Sequence, residues 1–224
     1  MTKKHLFLIG ATVIILGYSG YMYLMRPLAA PSEVVVDTPS TASAYAISQE
    51  KSKAEFRIDE VLRGEPVTVI GVTDAIFGSI DFDLMHPEAL SVSPIRVNAR
   101  TLKTDNSNRN TAIARFILKS ESDANEFIVF TPKQYIGIPK TLATGEEFSF
   151  TIVGDLFISG VTKEATFSVT ARATAESIVG TAETSVLYKD FGLVIPNVPF
   201  VANVSDTVHL TFEFTAFHDS NRNL

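Results

Sequence analysis

Hydrophobic and polar residues alternate along most of the second part of the chain. In segment 205–217, Val208, Leu210, Phe212, Phe214 and Ala216 fall on one face, with His209, Thr211, Glu213 and Thr215 on the other. That period of two predicts an antiparallel strand with one apolar and one wetter face. Phe148, Phe150 and Ile152 repeat the pattern until Gly154-Asp155 disturbs it, and Ala165, Phe167, Val169 and Ala171 form a further face. Shorter runs at 54–62, 67–72, 78–84, 90–101, 127–131 and 178–189 bring the expectation to about eight strands, with one or two fragments. Helical spacing occurs once, over Asn110–Lys119, where Ala112, Ile113, Phe116 and Ile117 make an apolar stripe and Asn110 or Thr111 can cap the first turn. The lack of repeated strand–helix units and of a Gly-rich phosphate loop argues against a dinucleotide-binding fold. Many antiparallel strands must stack as a sandwich or close as a barrel, and periodicity does not choose between them.

The amino-terminal part follows a different pattern. Residues 6–25, LFLIGATVIILGYSGYMYLM, carry no charge, and Lys3, Lys4 and Arg26 flank them. Twenty such residues match the length of a membrane-spanning helix, and the flanking charge predicts a cytoplasmic amino terminus with the remainder exported. The competing reading is a cleaved signal peptide, with Leu28-Ala29-Ala30 as the nearest small-residue site. The predicted organisation is an anchor at 1–26, a Pro/Ser/Thr/Ala-rich linker at 27–45, a β domain at 46–217 and a tail at 218–224. The corresponding localisation is a single-pass membrane protein with its domain outside the cytoplasm, or a secreted or periplasmic protein if the segment is cleaved.

Composition narrows the chemistry. The formal net charge is −6, and residues 46–224 carry 16 basic and 23 acidic side chains. A broad nucleic-acid-binding surface is unfavourable on such a chain. There is no Cys, so disulfides, thiolate metal sites and thiol nucleophiles are excluded. Sixteen Phe residues supply a large apolar core instead. His5, His86, His209 and His218 form no metal-binding pattern, and His86 beside Pro87 reads as a turn residue. Asp81 and Asp83, two apart, could share acid–base work or bind a cation, but flanking Phe82 they read first as solvated carboxylates around a buried ring. Thr104–Asn110 is a polar loop lacking the full acidic pattern of a calcium site. Arg109 and Arg115 could make charge-assisted contacts to an anionic group, or surface ion pairs. No Ser lies in Gly-x-Ser-x-Gly, and Asn203-Val204-Ser205 matches a sugar-acceptor sequence.

Several motifs then coincide in order and spacing. These are Ser52-Lys53-Ala54-Glu55-Phe56, Phe77-Gly78-Ser79-Ile80-Asp81-Phe82-Asp83, and Thr101-Leu102-Lys103-Thr104-Asp105-Asn106 with Arg109. They continue with Gly154-Asp155-Leu156-Phe157-Ile158-Ser159-Gly160-Val161-Thr162-Lys163, Asp190-Phe191-Gly192-Leu193 and Val204-Ser205-Asp206-Thr207-Val208. From about Tyr45 to Phe217 the chain resembles the YceI-like family of lipid- or polyisoprenoid-binding proteins. It departs from the family pattern at Asp105, where Gly is common, and at Asn110–Phe116, which lacks the family's histidine.

The resemblance implies an all-β, extended lipocalin-like antiparallel barrel. With the strand count and the anchor, the expected architecture is eight strands and one short helix after an amino-terminal transmembrane helix. The implied function is non-catalytic carriage or sequestration of a polyisoprenoid or similar long-chain lipid, without cofactor or metal. Phe116, Phe150, Phe167 and Phe212 are the candidates for apolar contact, with Arg109 or Arg115 near a polar end. The expected partners are a hydrophobic ligand and the membrane, with homo-oligomerisation open. The alternative is a structural or protein-interaction domain whose barrel is filled by its own side chains.

Overall fold

The computed structural model describes residues 21–23, 25–32, 44–197, 199 and 201–218. Thirteen antiparallel strands form one curled sheet. In chain order they are β1 (Ala44–Ile47), β2 (Lys53–Leu62), β3 (Glu65–Thr73), β4 (Ile76–Phe77), β5 (Ser79–Asp81), β6 (Ser91–Val92), β7 (Ile95–Asn98), β8 (Phe127–Ile136), β9 (Glu147–Ile158), β10 (Val161–Ala173), β11 (Ser177–Leu187), β12 (Val201–Ala202) and β13 (Thr207–His218). The main path runs β4-β7-β8-β9-β10-β11-β13-β1-β5-β6.

The long central strands follow the alternation in the sequence. Phe148, Phe150, Ile152, Leu156 and Ile158 of β9 are buried, and the pattern continues through Gly154, so the expected disturbance there does not occur. Asp155 instead points outward, with Lys133 Nζ 2.6 Å from its Oδ1. Phe214 and Ala216 are buried on β13. Between β9 and β10, Ser159 and Gly160 both have positive φ (48° and 86°). This is the pair of left-handed residues that suits a two-residue hairpin turn, and glycine adopts it without a Cβ penalty.

The predicted eight-stranded barrel is corrected to a curled half-barrel with more, shorter strands. The physical reason is interruption of the edge segments. β1 and β2 both lie along β13, Tyr45–Ile47 pairing Ala216–His218 and Lys53–Arg57 pairing His209–Glu213, but the turn at Gln49–Lys51 divides them. Residues 65–81 are likewise divided into β3, β4 and β5. β4 pairs with β7 while β5 pairs with β1, so the sheet crosses from one neighbour to the other at Gly78. Bonds from Asn98 N to Ala75 O and from Ser93 N to Ser79 O, each 2.9 Å, bring these ends of the sheet together.

The single predicted helix is also corrected. An α-helix, α1 (Ser107–Ala112), runs directly into a π-helical turn at Ile113–Ile117. Its cap is Asn106 rather than Asn110 or Thr111: the Asn106 Oδ1 accepts from the amides of Asn108 (2.9 Å) and Arg109 (3.1 Å). The polar run Thr104–Asn110 thus serves to start a helix.

The anchor prediction is corrected as well. Among the described residues no helix is long and apolar enough to cross a membrane. Of the predicted span 6–25, only Tyr21–Tyr23 and Met25 are described, in a short helical stretch; the rest lies outside the described residues. The described end contacts polar groups of the domain. Arg115 donates to the carbonyl oxygens of Tyr23 (2.9 Å) and Arg26, and Arg26 Nη2 donates to Glu121 Oε2 at 2.9 Å. The single-pass topology, the membrane partner and the localisations that followed from that reading are therefore unsupported.

Candidate functional site

Two partly open apolar cavities lie along the inner face of the curled sheet among the described residues. The first, of about 170 Å³, lies among β8, β9, β10 and β13 and is bounded by Phe82, Phe148, Phe150, Phe167 and Phe212, among others. Its aromatic walls are ordered by ring contacts. Phe82 stacks on Phe148 at 5.9 Å and Phe148 on Phe150 at 5.6 Å, while Phe130 meets Phe167 edge-on at 4.7 Å. Such offset and edge contacts are the favoured aromatic geometries. The burial of Phe82 (3% exposed) agrees with the reading of Ser79–Asp83, and Asp83 is engaged by the exposed His86, Nδ1 to Oδ2 2.9 Å.

The second cavity, of about 150 Å³, lies between the sheet, the helical segment 107–118 and the loop after β11. Ile113, Leu118 and Phe191 contribute apolar surface, and Phe191 comes from the Asp190-Phe191-Gly192 motif. Glu60 and Arg109 give this cavity a polar margin, Arg109 Nη2 lying 3.4 Å from Glu60 Oε1 and Nη1 bonding Asp105. Five side chains, Phe56, Leu102, Ile128, Ile158 and Leu210, line both cavities and form the wall between them.

The few charged groups near this interior are paired. The Glu55 carboxylate, 6% exposed, lies 3.3 Å from Lys53 Nζ and bonds Arg57 Nε. Burial disfavours its charged form, but the bonds from Arg57 and Lys53 prevail and hold its pKa below the usual carboxylate range. Among the described residues no group of three or more His, Asp or Glu is arranged to hold a metal.

The predicted site residues separate into three groups. Phe150, Phe167 and Phe212 line the first cavity. Arg109 lines the second. Phe116 and Arg115 line neither: Phe116 is 41% exposed, while Arg115 is buried against residues 23–26 and Glu121. The π-helical turn explains this division. The Leu118 amide reaches back five residues to the Ile113 carbonyl (2.8 Å), so the apolar stripe expected of an α-helix is rotated. Ile113, Ile117 and Leu118 line the second cavity and Phe116 faces outward. Phe148 and Phe214 were missed as candidates although they share the alternating faces of Phe150 and Phe212. Phe56 was placed in a strand, but its position between two cavities depends on strand register.

Comparison with known proteins agrees with this architecture. The chain matches the YceI-like domain over residues 45–216 and belongs to that family. The family is one of non-catalytic domains. No curated protein matches the chain. Among solved structures, BcnA of Burkholderia cenocepacia aligns with a TM-score of 0.59 at 16% identity, over 76% of this chain and 99% of its own. A polyisoprenoid binding domain from Saccharophagus degradans, implicated in plant cell wall breakdown, aligns at 0.61 and 14% identity, over 80% of this chain and 99% of its own. The YCEI protein of Campylobacter jejuni aligns at 0.50 and 14% identity, over 87% and 94%. At these identities the likeness establishes the fold, which is one capable of binding a ligand.

Proposed function

We propose that the protein binds a long-chain hydrophobic molecule, of polyisoprenoid or similar type, along the two cavities of the curled sheet, for carriage or sequestration. The observation that carries this reading is the pair of abutting apolar cavities. Each is smaller than the roughly 300–1,000 Å³ usual for small-molecule sites, but an elongated chain can occupy both in series. Transfer of hydrocarbon from water to such walls is favourable by about 25 cal/mol per Å² buried, with no catalytic group required. The family assignment and the polyisoprenoid binding named for the Saccharophagus degradans domain support the ligand class. Phe150, Phe167 and Phe212 contact the chain, and Arg109 stands near the polar end, beside Glu60. Phe116 and Arg115, predicted for the same roles, have no part in this reading.

The test is displacement of an environment-sensitive apolar fluorophore from the full-length protein by prenyl alcohols. Saturable displacement with one-to-one stoichiometry is expected. A fluorophore that neither binds nor responds, in protein shown to be folded, would favour a filled domain used for protein contact.

A further inference from the structure

We infer that Phe56 sets the length of chain the protein accepts, with Gly71 setting the position of its ring. This inference rests on the hydrophobic-ligand reading above. Phe56 is the one aromatic residue in the wall shared by the two cavities; the others are Leu102, Ile128, Ile158 and Leu210. It lies on β2 with Gly71 of β3 directly opposite on one side and Leu210 of β13 opposite on the other. A Cβ at Gly71 would clash with the Cε1–Cζ edge of the Phe56 ring, so that edge lies over the bare backbone of β3. The backbone at Gly71 is ordinary extended strand, and no positive φ calls for glycine there. Close approach of the ring is what requires it.

The consequence is a partition whose position depends on two residues. With the ring lying over Gly71, an apolar chain filling the first cavity reaches the shared wall beside Phe56. A chain long enough to continue must pass the ring to reach the second cavity. Loss of the ring opens the wall. A methyl group at Gly71 displaces the ring from β3 toward the lumen and narrows the passage. The two substitutions therefore act in opposite directions. General loosening of the sheet would move both in the same direction.

The experiment uses full-length protein as wild type, Phe56→Ala and Gly71→Ala, each shown to be folded by circular dichroism and a cooperative thermal transition. Each is titrated with a graded series of prenyl alcohols, and native mass spectrometry records the longest alcohol retained at one equivalent. The expected order of maximum length is Phe56→Ala, then wild type, then Gly71→Ala, with each step at least one isoprene unit. If Phe56→Ala does not fold, Phe56→Leu carries the same expected lengthening. If Gly71→Ala does not fold, Phe56→Trp carries the expected shortening. An identical length limit in all folded proteins, no limit in the wild type, or shifts of the same sign would overturn the assignment. Failure of the wild type to retain any alcohol would instead overturn the hydrophobic-ligand reading on which it rests.

Discussion

Arg100 donates through Nη1 to Glu126 Oε2 at 2.9 Å, and both side chains are almost fully enclosed, at 5% and 3% exposure. The pair joins β7 and β8 to the segment before β1. Asn98 Nδ2 and the amide and hydroxyl of Ser32 also donate to Glu126, at 2.8, 2.6 and 2.6 Å. Arg100 reaches the carbonyl oxygens of Ala30, Ser120 and Glu121 and the carboxylate of Asp123. Residues 26–32 are thus fastened to the domain at one place by Arg100–Glu126 and at another by Arg115–Glu121.

Removing one member of this pair should be costly, because the other is left charged and enclosed. Breaking a buried ion pair typically costs about 3–5 kcal/mol. Arg100→Leu is expected to destabilise the protein on that scale in urea denaturation, whereas Glu126→Gln, which retains hydrogen-bonding capacity, should cost less. Equal and small losses, below about 1 kcal/mol, would assign the pair the weight of an exposed surface bridge.

The fastening should respond to acid. At Glu126, burial disfavours the charged form, but the donors from Ser32, with Asn98 and Arg100, prevail and hold the carboxyl below its ordinary value of 4.5. At Glu121, Arg26 and Arg115 likewise prevail over burial. A depressed folded pKa contributes stability that is complete above the ordinary value and is lost as pH falls through the folded one. The Ser32 amide resonance should therefore move with a midpoint below 4.5. A midpoint above 4.5 would contradict the pairing.

Charge in the apolar interior should abolish ligand capture. Phe150→Asp and Phe212→Asp each place a carboxylate in the wall of the first cavity, where an unpaired charge is strongly disfavoured. Loss of fluorophore binding is expected in each variant that folds. Retained binding in a folded variant would remove that residue from the site.

Arg115 should affect the chain before β1 without affecting ligand. Arg115→Ala removes the donor to the Tyr23 and Arg26 carbonyl oxygens and one of the donors to Glu121, which keeps its bond from Arg26. Faster proteolysis around residues 26–32 is expected, with unchanged affinity for prenyl alcohols. A loss of affinity comparable to that of Phe150→Asp would return Arg115 to the binding site.

What the sequence made legible follows from where its signals are local. Alternation identified the inward faces of β9, β10 and β13, because side-chain direction on a strand has period two regardless of the neighbours. Three of the candidate rings, Phe150, Phe167 and Phe212, therefore line the first cavity. Of the helical stripe, Ile113 and Ile117 line the second cavity while Phe116 lies outward in the π turn, and no residue pattern in 107–118 marks the change. Strand number was misjudged because β1, β4 and β12 are too short to show alternation and the single run at 90–101 divides into β6 and β7. The position of Phe56 against Gly71 required the register of two strands, which a single sequence does not contain. Arg115 could be recognised as a charge seeking an acceptor, but beside the nearby Glu121 it reaches carbonyl oxygens about 90 residues away in the chain.

The most direct test of the hydrophobic-ligand reading is native mass spectrometry of full-length protein purified without detergent, followed by organic extraction of the same sample. The account predicts a stoichiometric adduct whose extracted mass is that of a long-chain apolar molecule, and its loss in folded Phe150→Asp. An unliganded mass that persists after incubation with prenyl alcohols would contradict it and leave the interior as a filled core.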